Sequence, residues 1–352
     1  MKFNHQTYFD IISGKRTDVF ARLARVFLAF LELPYGLVIK IRNLTYDVGL
    51  RKINKLDVPV VSVGNLTVGG TGKTPFVAWL AQKYLDEGKF PAIISRGYHA
   101  DETGWNDEAK ELKLLLPEVP QAFSKERFKA AQKLLKQYTG ENGTRKIDVM
   151  ILDDSFQYRK LFRENNILLI DATNPFGYNR LTPRGLLREP ISEMKRADTV
   201  ILSRADTVDV AERNRLRELV YHFAPGVTWV EMVHVPRSLL FLTGKRENID
   251  EIAGKKILAF CGLGNPDAFF RTVAECGAVV KKTVVFPDHH HYTTADRAMI
   301  FDLAKMNEAE IVVCSLKDVV KIQDWIHDEI DLCATVISSR MSETECFLRE
   351  LR

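Results

Sequence analysis

A lysine and a threonine at the end of a glycine-rich stretch are the residues of this sequence best suited to chemistry. Glycines let successive backbone N–H groups surround phosphate oxygens, the lysine ammonium reaches the β- and γ-phosphates, and the threonine hydroxyl can bind Mg²⁺. The stretch is therefore a candidate for binding a nucleotide. It consists of Gly64, Asn65, Leu66, Thr67, Val68, Gly69, Gly70, Thr71, Gly72, Lys73 and Thr74, and residues 67–74 are the predicted nucleotide contacts.

The segments on either side of this stretch favour the phosphate-binding interpretation. Residues 58–63 have the pattern of a short buried strand, and residues 75–85 have helical periodicity. Strand, glycine-rich turn and helix is the structural context of the P-loop, and Pro75 is acceptable in a first helical turn. The usual motif has glycine where this chain has Thr67. The alternative is a glycine-rich turn with a solvent-exposed lysine.

A pair of aspartates ends another apolar run. Residues 146–152 are mostly apolar, and Asp153 and Asp154 follow them. In P-loop proteins an aspartate at the carboxyl end of a buried strand holds Mg²⁺. We therefore predict that Asp153 and Asp154 join Thr74 around a magnesium ion. An ordinary strand end with solvated carboxylates is the alternative.

Further apolar runs supply the elements that must position these residues. Residues 91–95, 167–170 and 199–202 are strand-like and alternate with helical stretches, which indicates a parallel, doubly wound sheet. Ligands of such sheets bind at the carboxyl ends of the strands. The glycine-rich loop, the segment 95–98 and the Asp153-Asp154 pair all fall there.

A second, smaller α/β domain is predicted after a connector. Residues 228–235 and 239–242 are two strand-like runs on either side of Pro236-Arg237. The strand-like runs beyond them are 257–260, 279–286, 311–314 and 334–337. The predicted fold is a P-loop-type parallel sheet domain and a smaller α/β domain joined by a β-strand linker. The predicted boundaries are 1–45 for N-terminal helices of the first domain, 46–225 for its core, 226–245 for the linker and 246–352 for the second domain.

Composition bounds the class of protein. A chain of 352 residues predicts about two domains, and 46% hydrophobic with 27% charged residues excludes a disordered chain. The net charge of +4 is too small to indicate nucleic-acid binding. The five cysteines form no CxxC motif, and we expect them to be reduced core residues in a cytoplasmic protein. No signal-peptide pattern is visible near the start.

The N-terminal segment is basic and amphipathic. Residues 1–55 hold ten Lys or Arg against four Asp or Glu. Residues 19–31 carry apolar side chains at helical spacing, and Pro34 is expected to end this helix. One interpretation is a helix packed on its own domain. The other is a helix that lies on an anionic membrane surface. The longest apolar run, residues 26–31, is too short to span a bilayer, which needs about 20 residues.

Three consecutive histidines form a polar cluster in the second half. They occur in Pro287-Asp288-His289-His290-His291-Tyr292. Zinc binding is disfavoured because neighbouring residues of an extended chain point in opposite directions. We considered a loop over the active site, with one histidine oriented by Asp288, and a solvated loop as the other two interpretations.

Five motifs in this order resemble those of the tetraacyldisaccharide 4′-kinase family. The phosphate loop from Val63 to Pro75 is closely similar and shares the missing first glycine. The others are Ser95-Arg96-Gly97-Tyr98, Asp153-Asp154-Ser155-Phe156-Gln157, Asp288-His289 and Lys317-Asp318. Ser155 stands where the family has glycine, and Tyr158 where many members have histidine. The amphipathic N-terminal segment is similar too.

The resemblance implies transfer of the ATP γ-phosphoryl group to the 4′-hydroxyl of an acylated glucosamine disaccharide 1-phosphate. The family's catalytic aspartate lies in a G-D-E segment, to which Asn106-Asp107-Glu108 is the nearest match. The resemblance therefore implies Asp107 as base, His289 as its partner, Lys73 as a catalytic cation and Glu108 on the metal side. Substrate or phosphate contacts are implied for Asn65, Arg96, Arg127 and Arg188.

The resemblance also implies ATP and Mg²⁺ as cofactors and a peripheral location on the cytoplasmic face of the inner membrane. It implies the lipid substrate and that membrane surface as partners, with no nucleic acid or protein partner. A P-loop kinase of a soluble small molecule is one alternative, which the basic amphipathic helix disfavours. A nucleotide-gated switch or metallochaperone is the other, supported only by the histidines.

Overall fold

The computed structural model describes residues 5–97, 107–141, 145–264, 266–288, 290–327, 329–342 and 347. Contacts divide the described residues into two compact units. Unit 1 comprises the described residues within 1–97, 118–233 and 340–352. Unit 2 comprises those within 98–117 and 234–339. This division differs from the sequence-based one: of the described residues, 107–117 belong with the second unit, and 340–342 and 347 belong with the first.

Unit 1 is built on a parallel sheet, as predicted. Its strands occur in the order β7-β6-β5-β1-β4-β2-β3, and every neighbouring pair is parallel. All residues of β1, β2, β4 and β6 are buried, which suits a sheet covered on both faces. The strands are β1 (Val60–Asn65), β2 (Pro91–Ser95), β3 (Gln121–Phe123), β4 (Val149–Leu152), β5 (Asn165–Asp171), β6 (Thr199–Ser203) and β7 (Thr228–Phe241).

Helices connect these strands. Numbered along the chain, they are α1 (His5–Ile12), α2 (Val19–Asp47), α3 (Lys73–Asp86), α5 (Arg127–Gln137) and α6 (Val210–Phe223), while α4 (Asp107–Leu115) belongs to unit 2. One apolar core of the unit lies beside β5 and β6 and contains Phe156, Leu168 and Val200. A second contains Met150, Leu152 and Ala131 of α5.

The expectation that Pro34 ends the first helix is wrong. Helix α2 is continuous over 29 residues and contains Pro34 in its interior. Proline removes one helical hydrogen bond, but the helix is fastened to unit 1 on both sides of it. The Glu32 carboxylate accepts from the backbone N of Leu181 at 2.8 Å, and the Tyr35 hydroxyl donates to the Arg188 carbonyl at 2.9 Å.

Unit 2 contains four parallel strands in the order β10-β9-β11-β12. Its core includes Phe260, Ile300 and Trp325. The strands are β8 (Arg246–Asn248), β9 (Lys256–Cys261), β10 (Val279–Val285), β11 (Ile311–Ser315) and β12 (Asp331–Met341), of which the last two residues belong to unit 1. The helices are α4, α7 (Pro266–Glu275), α8 (Thr294–Met306) and α9 (Leu316–Val319).

The two strand-like runs of the predicted linker form one strand. β7 begins in unit 1, where residues 228–232 pair with β6, and ends in unit 2, where residues 238–240 pair with β8. Pro236 lies between these two registers. A proline in a strand is tolerated where its missing N–H is not needed for a ladder hydrogen bond.

Candidate active site

The glycine-rich loop lies between the end of β1 and the start of α3, in the predicted P-loop context. Gly69 and Gly72 have φ values of 128° and 78°, which side chains rarely adopt. Helix α3 begins at Lys73, so that Pro75 falls in its first turn, where a missing N–H costs nothing. Gly64 allows close packing at the strand end, because a Cβ there would lie 2.5 Å from the backbone N of Phe156.

The Lys73 ammonium lies in a cluster of polar side chains at the carboxyl edge of the sheet. Its Nζ donates to Asn65 Oδ1 at 3.2 Å and lies 3.5 Å from Asp154 Oδ1. Arg188 donates to both oxygens of Asp154, at 3.0 and 2.9 Å, and also to Asn65. Burial favours the neutral form of Asp154, but Lys73 and Arg188 outweigh it and hold the pKa of this carboxyl well below its usual range. Asp154 is therefore ionised at neutral pH.

Arg188 also fastens the loop backbone. Its Nε donates to the Thr67 carbonyl at 3.0 Å, and its own backbone N donates to the Leu66 carbonyl at 2.7 Å. The Val68 N–H donates to the Leu186 carbonyl at 2.7 Å. Residues 186–188 thus form a short antiparallel contact with residues 66–68. The position predicted as a phosphate contact acts in this structure as a brace for the phosphate loop.

Asp153, at the end of β4, lies beside the end of β2. It is 4% exposed, and its Oδ2 accepts from the Ser95 hydroxyl at 3.1 Å. Arg127, the first residue of α5, donates to the carbonyls of Asp153 and Asp154 at 3.3 and 2.9 Å, and its guanidinium lies 4.9 Å from the ring centre of Tyr158. Burial lowers the pKa of Arg127. This arginine therefore supports the backbone of the acidic pair.

Two residues that sequence reasoning missed support the middle of the loop. The Ser203 hydroxyl, at the end of β6, donates to the Thr71 carbonyl at 2.9 Å. Arg204 donates to the Gly70 carbonyl at 3.1 Å and pairs with Asp171 at the end of β5. Their position directly after predicted parallel strands was the available signal, since the carboxyl ends of such strands meet at one edge.

Oxygen-bearing side chains at this edge of the sheet suit a nucleotide phosphate and a magnesium ion. The Thr71 hydroxyl is buried and has no hydrogen-bond partner among the residues that the structure describes, so it is available to a phosphate oxygen. Within the described ranges, no group of three His, Cys, Asp or Glu side chains could hold a metal. Magnesium at P-loops needs fewer protein ligands, because phosphate oxygens and waters complete its octahedron. Thr74 and Asp153 supply hard oxygen donors of this type.

Helix α2 leaves its predicted apolar stripe exposed, although Ala21, Ile39 and Tyr46 of the same helix are buried. The seven residues of the stripe are all exposed, by 42–71%. Polar side chains add contacts within unit 1: Arg25 donates to the carbonyls of Ile11 and Arg16 at 3.1 and 2.7 Å, and Arg42 pairs with the fully buried Glu189. The stripe consists of Val19, Phe20, Leu23, Val26, Phe27, Phe30 and Leu31. It is therefore not packed on the helix's own domain.

Among the residues that the structure describes, no helix combines the length and the apolar character needed to cross a bilayer.

The predicted base belongs to unit 2. Asp107 is the first residue of α4, and its Oδ2 lies 3.3 Å from the Nζ of Lys321. Glu108 follows it in the first turn of the helix. Burial and the neighbouring Glu108 raise the pKa of Glu111, one turn further on, to about 8. The predicted partner His289 lies outside the described residues, as do Tyr98 and Asn106, and Arg96 is exposed at the end of β2.

The late motifs come together in unit 2. Lys317 pairs with Asp288 at 2.8 Å. Asp318 is fully buried, and its carboxylate accepts from the Tyr292 hydroxyl at 2.8 Å and from the Gly262 N–H at 3.1 Å. His290 lies 3.1 Å from Asp296 and stacks on a core ring, so it does not project as a metal ligand. The loops after β9, β10 and β11 are thus joined at one edge of this sheet.

The family model described as tetraacyldisaccharide-1-P 4′-kinase matches residues 24–351. The tetraacyldisaccharide 4′-kinase of Halothermothrix orenii is 35% identical over 353 residues, which cover 91% of this chain and 89% of that protein. The protein of the same name from Desulfatibacillum aliphaticivorans is 34% identical, covering 91% of this chain and 90% of that protein.

A solved structure is similar over nearly the whole chain. It is the crystal structure of the "apo" form of LpxK from Aquifex aeolicus in complex with ATP. The TM-score is 0.74 at 30% sequence identity, and the match covers 93% of this chain and 98% of that one.

Proposed function

The chain belongs to the tetraacyldisaccharide-1-P 4′-kinase family, and from that premise we propose how its residues transfer a phosphoryl group. It is an ATP-dependent kinase of lipid A biosynthesis that acts on the 4′-hydroxyl of an acylated disaccharide 1-phosphate. The alternatives of a soluble-substrate kinase and a nucleotide-gated switch are set aside by this membership. We propose that unit 1 holds Mg-ATP through residues 67–74 and that Asp107 of unit 2 activates the acceptor.

The observation that carries this proposal is the cluster of Lys73, Asp154 and Arg188 at the end of β1. Two cations and an ionised carboxylate meet where the phosphate loop turns into α3. Phosphoryl transfer depends mainly on positioning and on neutralising the charge of the phosphate oxygens. Lys73 supplies such a charge on a side chain that Asn65 and Asp154 hold in place.

In the proposed reaction, the 4′-oxygen attacks the γ-phosphorus, and the bond from that phosphorus to the bridging oxygen of ADP breaks. The hydroxyl proton passes to the Asp107 carboxylate. We propose His289 as the partner of this carboxylate. Lys73 stabilises charge on the transferring group. We propose that four residues serve the phosphate or sugar contacts: Asn65, Arg96, Arg127 and Arg188. The last two do so through the backbone and the loop that they brace.

When bound, Mg²⁺ would neutralise charge on the phosphate oxygens. We propose Thr74 and Asp153 as its ligands from unit 1, with Asp154 and Glu108 as further acidic groups. Asp154 already pairs with Lys73 and Arg188 in this structure, so its contribution to the metal competes with those two cations.

A calorimetric titration tests the nucleotide part of the proposal. Addition of ATP with excess Mg²⁺ to the full chain is expected to saturate one site per molecule. Chelation of the divalent cation is expected to weaken the affinity, because the phosphate charge would then be offset by Lys73 and the loop amides alone. Absence of binding with abundant Mg²⁺ would contradict the proposal.

We further propose that α2 places the enzyme on the membrane that contains its substrate, at the cytoplasmic face of the inner membrane. Support comes from the seven exposed apolar residues of its stripe, which continue along the helix with Leu37, Val38, Ile41 and Leu44 at 53–63% exposure. A continuous exposed apolar helix face with basic residues beside it is typical of interfacial helices.

Removing two aromatic rings from this face is expected to release the protein from lipid. Burial of a phenylalanine contributes roughly 1.5–3 kcal/mol, so Phe27→Ser with Phe30→Ser is expected to lower the partition coefficient onto vesicles containing anionic phospholipid by about 10²- to 10⁴-fold. Co-sedimentation measures this change. Both side chains are exposed, so the fold is expected to remain intact.

Val210→Ser with Tyr221→Ser is the matched control, since these apolar residues of unit 1 are exposed on α6. The control is expected to bind vesicles like the unaltered chain. Equal vesicle binding by the α2 variant would overturn the interfacial role of this helix.

A further inference from the structure

One lysine in unit 2 connects the predicted base to the loop that contains the three histidines. Lys321 follows α9, and its side chain is 13% exposed. Its Nζ lies 3.3 Å from Asp107 Oδ2 and donates to the His290 carbonyl at 3.5 Å. An ammonium has three N–H donors, so it can hold both oxygens at once.

The residues around this lysine hold the same loop at other points. Lys317 pairs with Asp288, at 2.8 Å, on the other side of position 289. The buried Asp318 carboxylate accepts from the Tyr292 hydroxyl, and it also accepts from the Ser315 hydroxyl at 2.5 Å. The segment 315–321 therefore fastens the loop both before and after position 289, and its Lys321 also contacts Asp107.

We propose that Lys321 is a positioning residue for phosphoryl transfer, which sets the Asp107 carboxylate relative to the backbone of His290. This inference rests on the proposed role of Asp107 as base. Asp107 is the first residue of α4, and both its ion pair with Lys321 and the packing of α4 against α9 hold it in place.

The orientation of a general base affects the reaction rate more than it affects the free energy of folding. A displacement of about 1 Å in a reacting group can cost up to about 10²-fold in rate. An ion pair that is partly open to solvent contributes little to folding, typically about 0–1 kcal/mol. The loss of Lys321 is therefore expected to appear in turnover more than in the melting temperature.

The test compares Lys321→Met, which keeps the aliphatic stem, with Lys321→Arg, which keeps the charge. Turnover of Lys321→Met is expected to fall by about 10- to 100-fold, with the KM for ATP unchanged because the proposed ATP contacts lie in unit 1. Lys321→Arg is expected to recover most of the turnover. Should Lys321→Met not fold, Lys321→Gln is measured in its place. Lys305→Met is the control, since this lysine forms an exposed ion pair with Glu329 in the same unit.

A double-mutant cycle with Asp107→Asn separates this inference from the proposed function. If Lys321 acts through Asp107, adding Lys321→Met to Asp107→Asn costs no further turnover. Full turnover of Lys321→Met beside an impaired Asp107→Asn would overturn the inference alone, as would losses that multiply in the double variant. Full turnover of Asp107→Asn would overturn the base assignment itself, and with it the role of Lys321.

Discussion

Lys73→Ala is expected to lower kcat by on the order of 10³-fold while the protein stays folded. The ammonium is the positive charge at the start of α3, and a preorganised group that stabilises transition-state charge is commonly worth 10²- to 10³-fold. The loss of kcat is expected to exceed the loss caused by substituting another residue of the phosphate loop, because Lys73 Nζ has a fixed location between Asn65 and Asp154. Initial rates of lipid phosphorylation at saturating Mg-ATP measure the change.

Lys83→Ala provides the matched control for that result. Lys83 lies on the same helix, and its ion pair with Asp86 is exposed to solvent. This variant is expected to turn over like the unaltered protein. Undiminished turnover of Lys73→Ala would remove the phosphate-loop role of this residue.

Asp107→Asn is expected to reduce kcat by about 10²- to 10⁴-fold, the usual contribution of a positioned general base. The amide has nearly the same shape, but it cannot accept the proton of the attacking hydroxyl. Binding of Mg-ATP is expected to remain, because the proposed nucleotide contacts belong to unit 1 and Asp107 belongs to unit 2. Single-turnover rates, together with calorimetric ATP affinity, separate the two effects.

Asp267→Asn is the control for the aspartate variant. Asp267 lies in the first turn of α7 in the same unit, so its substitution makes the same change of charge at a helix start. Its turnover is expected to be normal. An Asp107→Asn protein that phosphorylates lipid at the full rate would refute the base assignment.

The strand ends that carry the candidate site were predictable because their signals are local. Asn65, Ser95 and Asp153 each close a short run of apolar residues, and all three lie at the carboxyl edge of the unit 1 sheet. The helix after the glycine-rich loop was also predicted locally: it begins at Lys73, slightly before the periodic run 75–85, and Pro75 falls in its first turn as expected. In these places local pattern and final structure agree.

Contacts between distant parts of the chain were not predictable in this way. Arg188 lies 34 residues from Asp154 and 123 from Asn65, and no pattern around residue 188 specifies either partner. Lys321 and Asp107 are separated by even more of the chain, and neither the composition nor the periodicity of residues 107–117 marks them as part of unit 2. These contacts depend on topology, which brings together segments that the sequence separates.

The N-terminal helix shows a different limit. A stripe at helical spacing predicts the helix correctly but is the same whether its apolar face meets a protein core or a lipid surface. The exposure of Phe27 and Phe30 shows that these two residues do not pack on the described core of this chain. Helix continuation through Pro34 also depended on tertiary contacts, those of Glu32 and Tyr35 with residues 181 and 188.

The most direct test of the central claim is to identify the product of the reaction. Purified protein is incubated with γ-labelled ATP, Mg²⁺ and an acylated glucosamine disaccharide 1-phosphate in detergent, and the lipid is analysed by mass spectrometry and ³¹P NMR. A lipid that gains one labelled phosphate on the 4′-oxygen is expected, and Lys73→Ala is expected to form it more slowly by on the order of 10³-fold. Consumption of ATP without a phosphorylated lipid, or label on another hydroxyl, would contradict the central claim.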